Sequence, residues 1–327
     1  MLFSRNLIRT FLALLALGAL PLSAEEQPVP AQGGPAVSIT DLKPVKLERD
    51  AHSKLLVAQC TVNGVPCNLI VDTAASHTTF DIKFIKKNFP GLPLEDVQIA
   101  PGSNVSAAPV RGAPRLFAMR SFSMGGLHIK NFFGLALDLT PLQKDMQVKI
   151  DGILGINYLG FSPFLLSVRN ASLQFLERSR FPQHMKPLDV ERDPSGIFYI
   201  RCSRGGDTFP LALDSGSSLS MAPLKQWPAD PNGNQLTTKA TDINGHNGDC
   251  TVMKLGIPST LRMGPDFQMD GLSFAVTGTG GRYQIGVDTF QHFDIIIDAP
   301  QGEVFALPPH SRPEPRGQKA PDIKQES

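Results

Sequence analysis

Apolar residues in this chain come in short runs cut by Gly, Pro and Asn, and they are not spaced as helical stripes. LLVAQCTV (55–62), NLIV (68–71), FGLALDL (133–139) and FLLSV (164–168) predict buried or half-buried strands. Farther on, IFYIRC (197–202), PLALD (210–214), LSFAV (272–276) and FDIIID (293–298) predict a second series of the same kind. One stretch breaks the rhythm. DIKFIKKNF (81–89) sets Ile82, Phe84, Ile85 and Phe89 behind an Asp, which predicts a short helix. Asn63-Gly64, between two apolar runs, predicts a two-residue hairpin turn because both residues tolerate positive φ.

The two strand series are copies of one another. LKPVKLERD (42–50) returns as MKPLDVERD (185–193), at an offset of 185 − 42 = 143. LLVAQCTVNGVPCNLIVDTAAS (55–76) aligns with FYIRCSRGGDTFPLALDSGSS (198–218), which puts Asp72 on Asp214 at 214 − 72 = 142. SFSMGGLHI (121–129) resembles STLRMGPDF (259–267). The copies close with ILGINYLGFSPFLLSVRNASLQFL (153–176) and QIGVDTFQHFDIIIDAPQGEVFAL (284–307), where Gly155 falls on Gly286 at 286 − 155 = 131. The falling offset means short deletions in the second copy, which loops tolerate. An internal duplication therefore divides the chain into two homologous lobes, 37–178 and 185–308.

Outside the lobes the composition changes. Arg5 and Arg9 precede an apolar run from Phe11 to Leu22, and Leu-Ser-Ala ends at Ala24, so 1–24 reads as a secretory signal peptide. Residues 25–36 read as a flexible Pro-, Gly- and Ala-rich leader, and 309–327 as a disordered polar tail. The expected protein is exported, periplasmic or secreted, with no membrane span in the mature chain. A formal net charge of +1 over 327 residues supplies no basic field for nucleic acid. The seven His residues show no metal-ligand spacing, and no Gly-x-Ser-x-Gly elbow occurs. No metal and no cofactor is expected.

Four cysteines in an exported chain suggest two disulfides, for which the sequence permits three connectivities. The turn at Asn63-Gly64 sets Cys60 and Cys67 across from each other, which leaves Cys202 for Cys250.

Each copy carries one acidic loop directly after an apolar strand, VDTAAS in the first and LDSGSS in the second. Asp-Ser/Thr-Gly alone is a turn signal. Two such loops in register, each followed by an apolar-Gly segment in the same order, are not explained by turns. In these residues the chain resembles the two-lobed aspartic peptidases of the pepsin and retropepsin kind. The resemblance covers nearly all of 37–308 and implies a mainly β, acid-protease-like fold of two homologous lobes with the active site at their seam. It implies an aspartic-type endopeptidase, in which Asp72 and Asp214 activate a water between them to hydrolyse a peptide bond. Thr73 and Ser215 would bond across the seam, and Ser76 and Ser218 would orient the carboxylates. Leu154-Gly155 and Ile285-Gly286 would pack behind the loops. Flaps near Pro101–Arg115 and Asp242–Asp249 would cover the substrate, an extended peptide or protein, and the chain would act as a monomer. The first loop departs from the pattern. Ala74 stands where the family has Gly, which bears on activity more than on fold. The alternative reading is a catalytically impaired peptide-binding pseudo-peptidase of the same fold.

Overall fold

Asn63 (φ 48°) and Gly64 (φ 84°) both lie in the left-handed region. This is the turn that best matches the twist of a hairpin. It joins strand Leu56–Val62 to strand Val65–Val71. The Asn63 side chain accepts from the backbone N–H groups of Arg120 (2.8 Å) and Ser121 (3.0 Å), which pins the turn to a neighbouring strand.

The computed structural model describes residues 34–97, 111–181, 185–204, 207–223, 235–240, 250–254, 261–264, 267–269, 273–277 and 283–307. The expected signal peptide and tail, most of the leader, the second flap and all but 111–115 of the first lie outside them. The described chain is mainly β. None of its helices is long and apolar enough to cross a membrane. The helix expected at 81–89 spans Ile82–Asn88, and the Asp81 carboxylate caps it by accepting from Lys83 N–H.

In the first lobe a long antiparallel hairpin, Arg111–Met124 with Leu127–Asp138, folds against the Asn63-Gly64 hairpin. The short strand Gly152–Leu154 inserts beside Val65–Val71 in parallel and beside Thr79–Asp81 antiparallel. The second lobe repeats the plan. Strand Phe198–Arg204 pairs with Asp207–Leu213, and Gln284–Ile285 inserts beside the latter in parallel and beside Met221–Pro223 antiparallel. Both inserted strands are fully buried, because they run through the middle of a sheet.

A third sheet joins the lobes. Its order is Val45–Lys46, Ser172–Phe175, Phe164–Ser167, Asp294–Asp298, Glu303–Leu307. At its centre Phe164 pairs with Ile297, Leu165 with Ile296 and Leu166 with Ile295. The repeat offset here is 131, so Leu165 and Ile296 are mates (296 − 165 = 131), and the two flanking pairs exchange under the same operation. The register therefore places a pseudo-twofold axis between Leu165 and Ile296.

The repeated phrase is framework for this arrangement. Val45 pairs with Leu173, and Leu188 N–H donates to Val304 O at 2.7 Å in the equivalent place. Arg49 donates to Val168 O, and Arg192 donates to Ala299 O. Asp50, fully buried, accepts through Oδ1 from His52 N, Ser53 N and Ser53 Oγ, and through Oδ2 from Gln147 N and Val148 N. Burial alone would raise its pKa, but these bonds outweigh burial and hold it below the usual carboxylate range. Asp193 caps the matching turn by accepting from Ser195 N, Ser195 Oγ and Ile197 N.

The cysteine expectations need correction. Cys60 and Cys67 do face each other in register, but both are free, buried thiols, and so is Cys202. Pro66 has no N–H, so Thr61–Pro66 must be the pair without hydrogen bonds, and alternation makes Cys60–Cys67 a hydrogen-bonded pair. Side chains stand farther apart at such pairs. Cys202 lies on strand Phe198–Arg204 and Cys250 opens strand Cys250–Lys254, with four strands between them in the sheet. That span is beyond disulfide reach. Burial pushes the Cys60 and Cys202 thiols up and takes Cys67 to about 12.

Candidate active site

Each acidic loop begins where a strand ends beside its inserted parallel neighbour. Asp72 N–H donates to Leu154 O and Asp214 N–H to Ile285 O, both at 3.0 Å. The loops then turn alike. Ala74 N–H donates to Asp72 Oδ1 at 2.8 Å, and Gly216 N–H to Asp214 Oδ1 at 3.1 Å. Ala75 O accepts from Ile156 N–H at 2.8 Å, and Ser217 O from Val287 N–H at 2.9 Å.

Across the seam the loops clasp each other. Thr73 N–H donates to Ser215 Oγ (3.1 Å), and Ser215 Oγ donates to Val71 O (2.8 Å). In return Ser215 N–H donates to Thr73 Oγ1 (3.1 Å), and Thr73 Oγ1 donates to Leu213 O (2.7 Å). Both side chains are buried, so all four bonds are shielded from water. The clasp fixes the spacing of the two carboxyl groups.

Gly216 measures that spacing. A Cβ built there would lie 2.3 Å from Asp72 Cγ and 2.4 Å from Asp72 Oδ2. The same glycine bonds the Asp214 carboxylate through its N–H, so both carboxyls adjoin one residue. Asp214 is buried, and Asp72 is partly exposed.

Behind each loop stands a polar brace. Thr78 N–H and Oγ1 both donate to Asn157 Oδ1, and Gly155 N–H donates to Thr78 Oγ1. In the second lobe Ser220 N–H and Oγ donate to Asp288 Oδ1, and Gly286 N–H donates to Ser220 Oγ. Burial raises the pKa of Asp288, opposed by its bonds from Ser220 and Thr289 and by the charge of His292. Gly155 and Gly286 need their hydrogens. A Cβ at Gly155 would meet His77 C at 2.6 Å, and one at Gly286 would meet Leu219 C at 2.5 Å. Leu154 and Ile285 are wholly buried in the inserted strands. The brace residues were not singled out from the sequence, yet the repeat register marks them, since 220 − 78 = 142 and 288 − 157 = 131.

One expected support is placed differently. The Ser218 hydroxyl donates to Ser53 O at 2.5 Å, so it ties the second loop to the first lobe's 51–53 turn and does not orient a carboxylate. Ser76, buried, has its Oγ 2.8 Å from His77 Nδ1. At the position after Ala74 and Gly216 the first loop has Ala75 and the second Ser217, whose hydroxyl donates to Leu219 O.

Residues 58–158 match the family model described as aspartyl protease. No curated protein matches the chain. Among solved structures, soybean basic 7S globulin is similar at 11% identity and a TM-score of 0.47, over 81% of this chain and 93% of that one. Conglutin gamma, a basic 7S globulin from lupine seeds, is similar at 12% identity and a TM-score of 0.48, over 84% of this chain and 95% of that one. The sequence match thus covers most of the first lobe and includes its acidic loop, and the second acidic loop meets that loop at one seam.

Proposed function

We propose that the chain is an aspartic-type endopeptidase in which Asp72 and Asp214 activate water between them. The observation that carries this reading is the reciprocal clasp of Thr73 and Ser215, which holds two twofold-related carboxyls at Gly216. Carboxyls so placed resist joint ionisation, so one keeps a proton while the other is charged. Aspartic peptidases are the standard example of that state. One carboxylate takes a proton from water as its oxygen bonds to the carbonyl carbon, and the other carboxyl protonates the carbonyl oxygen. Proton return to the amine nitrogen then breaks the C–N bond and restores the pair.

The substrate is a peptide in extended form, lying across the seam and pairing its backbone as a strand does. One chain supplies both loops, so no second copy is needed and the protein acts as a monomer. The N-terminal sequence supports an exported protein, periplasmic or secreted, with lobes at 37–178 and 185–308. Incubating the purified chain with a diverse peptide pool from pH 3 to pH 8 tests the reading. Cleavage favoured below neutrality and blocked by statine-type peptides is expected. Activity that needs an added metal, or climbs steadily into alkaline pH, refutes it.

A second reading has its own observation. Ala74 is buried at the mate of Gly216, a position where, in the second loop, a Cβ would meet the Asp72 carboxyl. If that methyl blocks turnover, the chain is a peptide-binding pseudo-peptidase, and the same pool would be bound but not cut.

A further inference from the structure

We propose that the turn after the repeated phrase is a strut thrown across the seam, and that Ser218, bonded to the Ser53 carbonyl, is a positioning residue for the loop that carries Asp214. The proposal rests on the peptidase reading of the two loops.

The repeat register points to the strut. Ser53 and Gly196 are mates, since 196 − 53 = 143, the offset of the phrase itself. Both touch the opposite lobe. Ser53 O accepts from Ser218 Oγ at 2.5 Å, four residues past Asp214. A Cβ built at Gly196 would lie 3.5 Å from Ile156 Cγ2, and Ile156 N–H donates to Ala75 O of the first acidic loop at 2.8 Å. Each lobe therefore reaches the frame of the other lobe's acidic loop with the same turn. One contact is polar and direct, and the other is apolar and passes through Ile156.

The polar strut is built to be stiff. Asp50 N–H donates to Leu55 O and Lys54 N–H to Asp50 O, both at 2.9 Å, which closes the turn. The buried Asp50 carboxylate takes three bonds from the turn and two from Gln147 and Val148. Burial raises its pKa, but the bonds from Val148, Ser53 and Gln147 outweigh burial, so the anchor stays charged on the acidic side of neutrality. Ser53 is itself buried, so its carbonyl is a fixed acceptor.

The second loop has use for such a hold. Its ends are fixed by the clasp at Ser215 and by the brace at Ser220, both buried. Residues 216–219 between them are half-buried, and the Ser217 hydroxyl bonds within the loop, to Leu219 O. Ser218 bonds this middle stretch to the facing lobe. Gly216 N–H in the same stretch donates to Asp214 Oδ1 at 3.1 Å, so a shift of the stretch moves a donor that orients the carboxyl. Ser218 thus acts on Asp214 through the loop backbone.

The test compares the full chain with Ser218→Ala, Ser218→Thr, Asp50→Asn and the double variant Asp50→Asn/Ser218→Ala. It measures kcat and KM on a cleaved peptide, and amide hydrogen exchange by mass spectrometry over 214–220 and over 72–78. Ser218→Ala is expected to lower kcat about tenfold with KM within about twofold of the parent, because misplaced chemistry and not substrate binding is lost. Exchange over 214–220 should quicken while 72–78 stays at the parental rate. Ser218→Thr keeps the hydroxyl and should restore both readouts. Asp50→Asn should quicken the same segment, and the double variant should lose no more than about twofold in kcat beyond the worse single, since both act through one bond. Parental kcat or parental exchange in Ser218→Ala overturns the proposal, as does a threonine variant no better than alanine, or a double variant that loses the product of the singles. A raised KM at parental kcat would make Ser218 a substrate contact and overturns it too. If the parent cuts no peptide, the peptidase reading fails and exchange judges the strut alone. Quickened exchange over 214–220 that threonine reverses supports it, and unchanged exchange overturns it.

Discussion

Replacing Thr73 by Val removes half of the clasp without changing the shape of the side chain. The Thr73 hydroxyl accepts from Ser215 N–H at 3.1 Å and donates to Leu213 O at 2.7 Å, in a site 2% exposed. Valine fills the same volume, so no cavity term enters. Two buried backbone groups lose their partners, at about 1–2 kcal/mol each, or about 3 kcal/mol together. A domain of this kind holds only about 5–15 kcal/mol in all, so the loss is large. Thr73→Ser keeps both bonds and gives up one methyl, at about 1 kcal/mol. Urea unfolding at neutral pH, followed by circular dichroism, compares the three proteins. The valine variant is expected to unfold at lower urea, with a shallower slope if the lobes begin to open separately. A valine variant within about 0.5 kcal/mol of the parent, or level with the serine variant, refutes the clasp as the element that joins the loops.

Three further outcomes follow from particular contacts. Asp50→Asn turns an acceptor toward Gln147 N–H and Val148 N–H into a donor, and should cost about 3 kcal/mol at pH 7. The folded pKa of Asp50 lies below its unfolded value, so its contribution is complete above the unfolded pKa and fades as pH falls through the folded one. The gap between parent and variant in thermal melts should therefore shrink toward pH 3. Gly155→Ala and Gly286→Ala force a Cβ within 2.8 Å of loop backbone, and each should lower stability by about 1–3 kcal/mol and depress peptide cleavage, measured by melting and by turnover. Cys60, Cys67 and Cys202 should resist a thiol reagent in the native protein and react once it is denatured, because burial holds each thiol protonated. A Cys60–Cys67 disulfide in non-reducing peptide maps would contradict the free thiols.

The strands were legible because period-2 and continuous apolar runs are local signals, and NLIV and PLALD end where the acidic loops begin. The helix after Asp81 was legible for the same reason. The joining sheet was not, because the pairing of Leu166 with Ile295 crosses more than a hundred residues and leaves no local mark. Its register could be checked only once the repeat offset was known. The cysteines show the limit of spacing. The turn places Cys60 opposite Cys67, but which kind of ladder pair they form depends on Pro66, which had to be read for its missing N–H. Ser218 shows the limit of a motif. Its place in LDSGSS suggested a carboxylate partner, while the fold of the seam offers it the Ser53 carbonyl. Thr78, Asn157, Ser220 and Asp288 lay within reach of the repeat register and were missed because none belongs to the acidic loops themselves.

The proposed activity requires Asp72 and Asp214 to act as one pair. The direct test is peptide turnover by Asp72→Asn and by Asp214→Asn, each checked for native folding by circular dichroism. Each amide keeps the volume of the carboxyl and removes its charge and its proton. Both variants should fold and both should lose peptide cleavage by at least about 1,000-fold, since neither carboxyl can serve as acid and base alone. A folded variant of either kind that cleaves at close to the parental rate would contradict the pair.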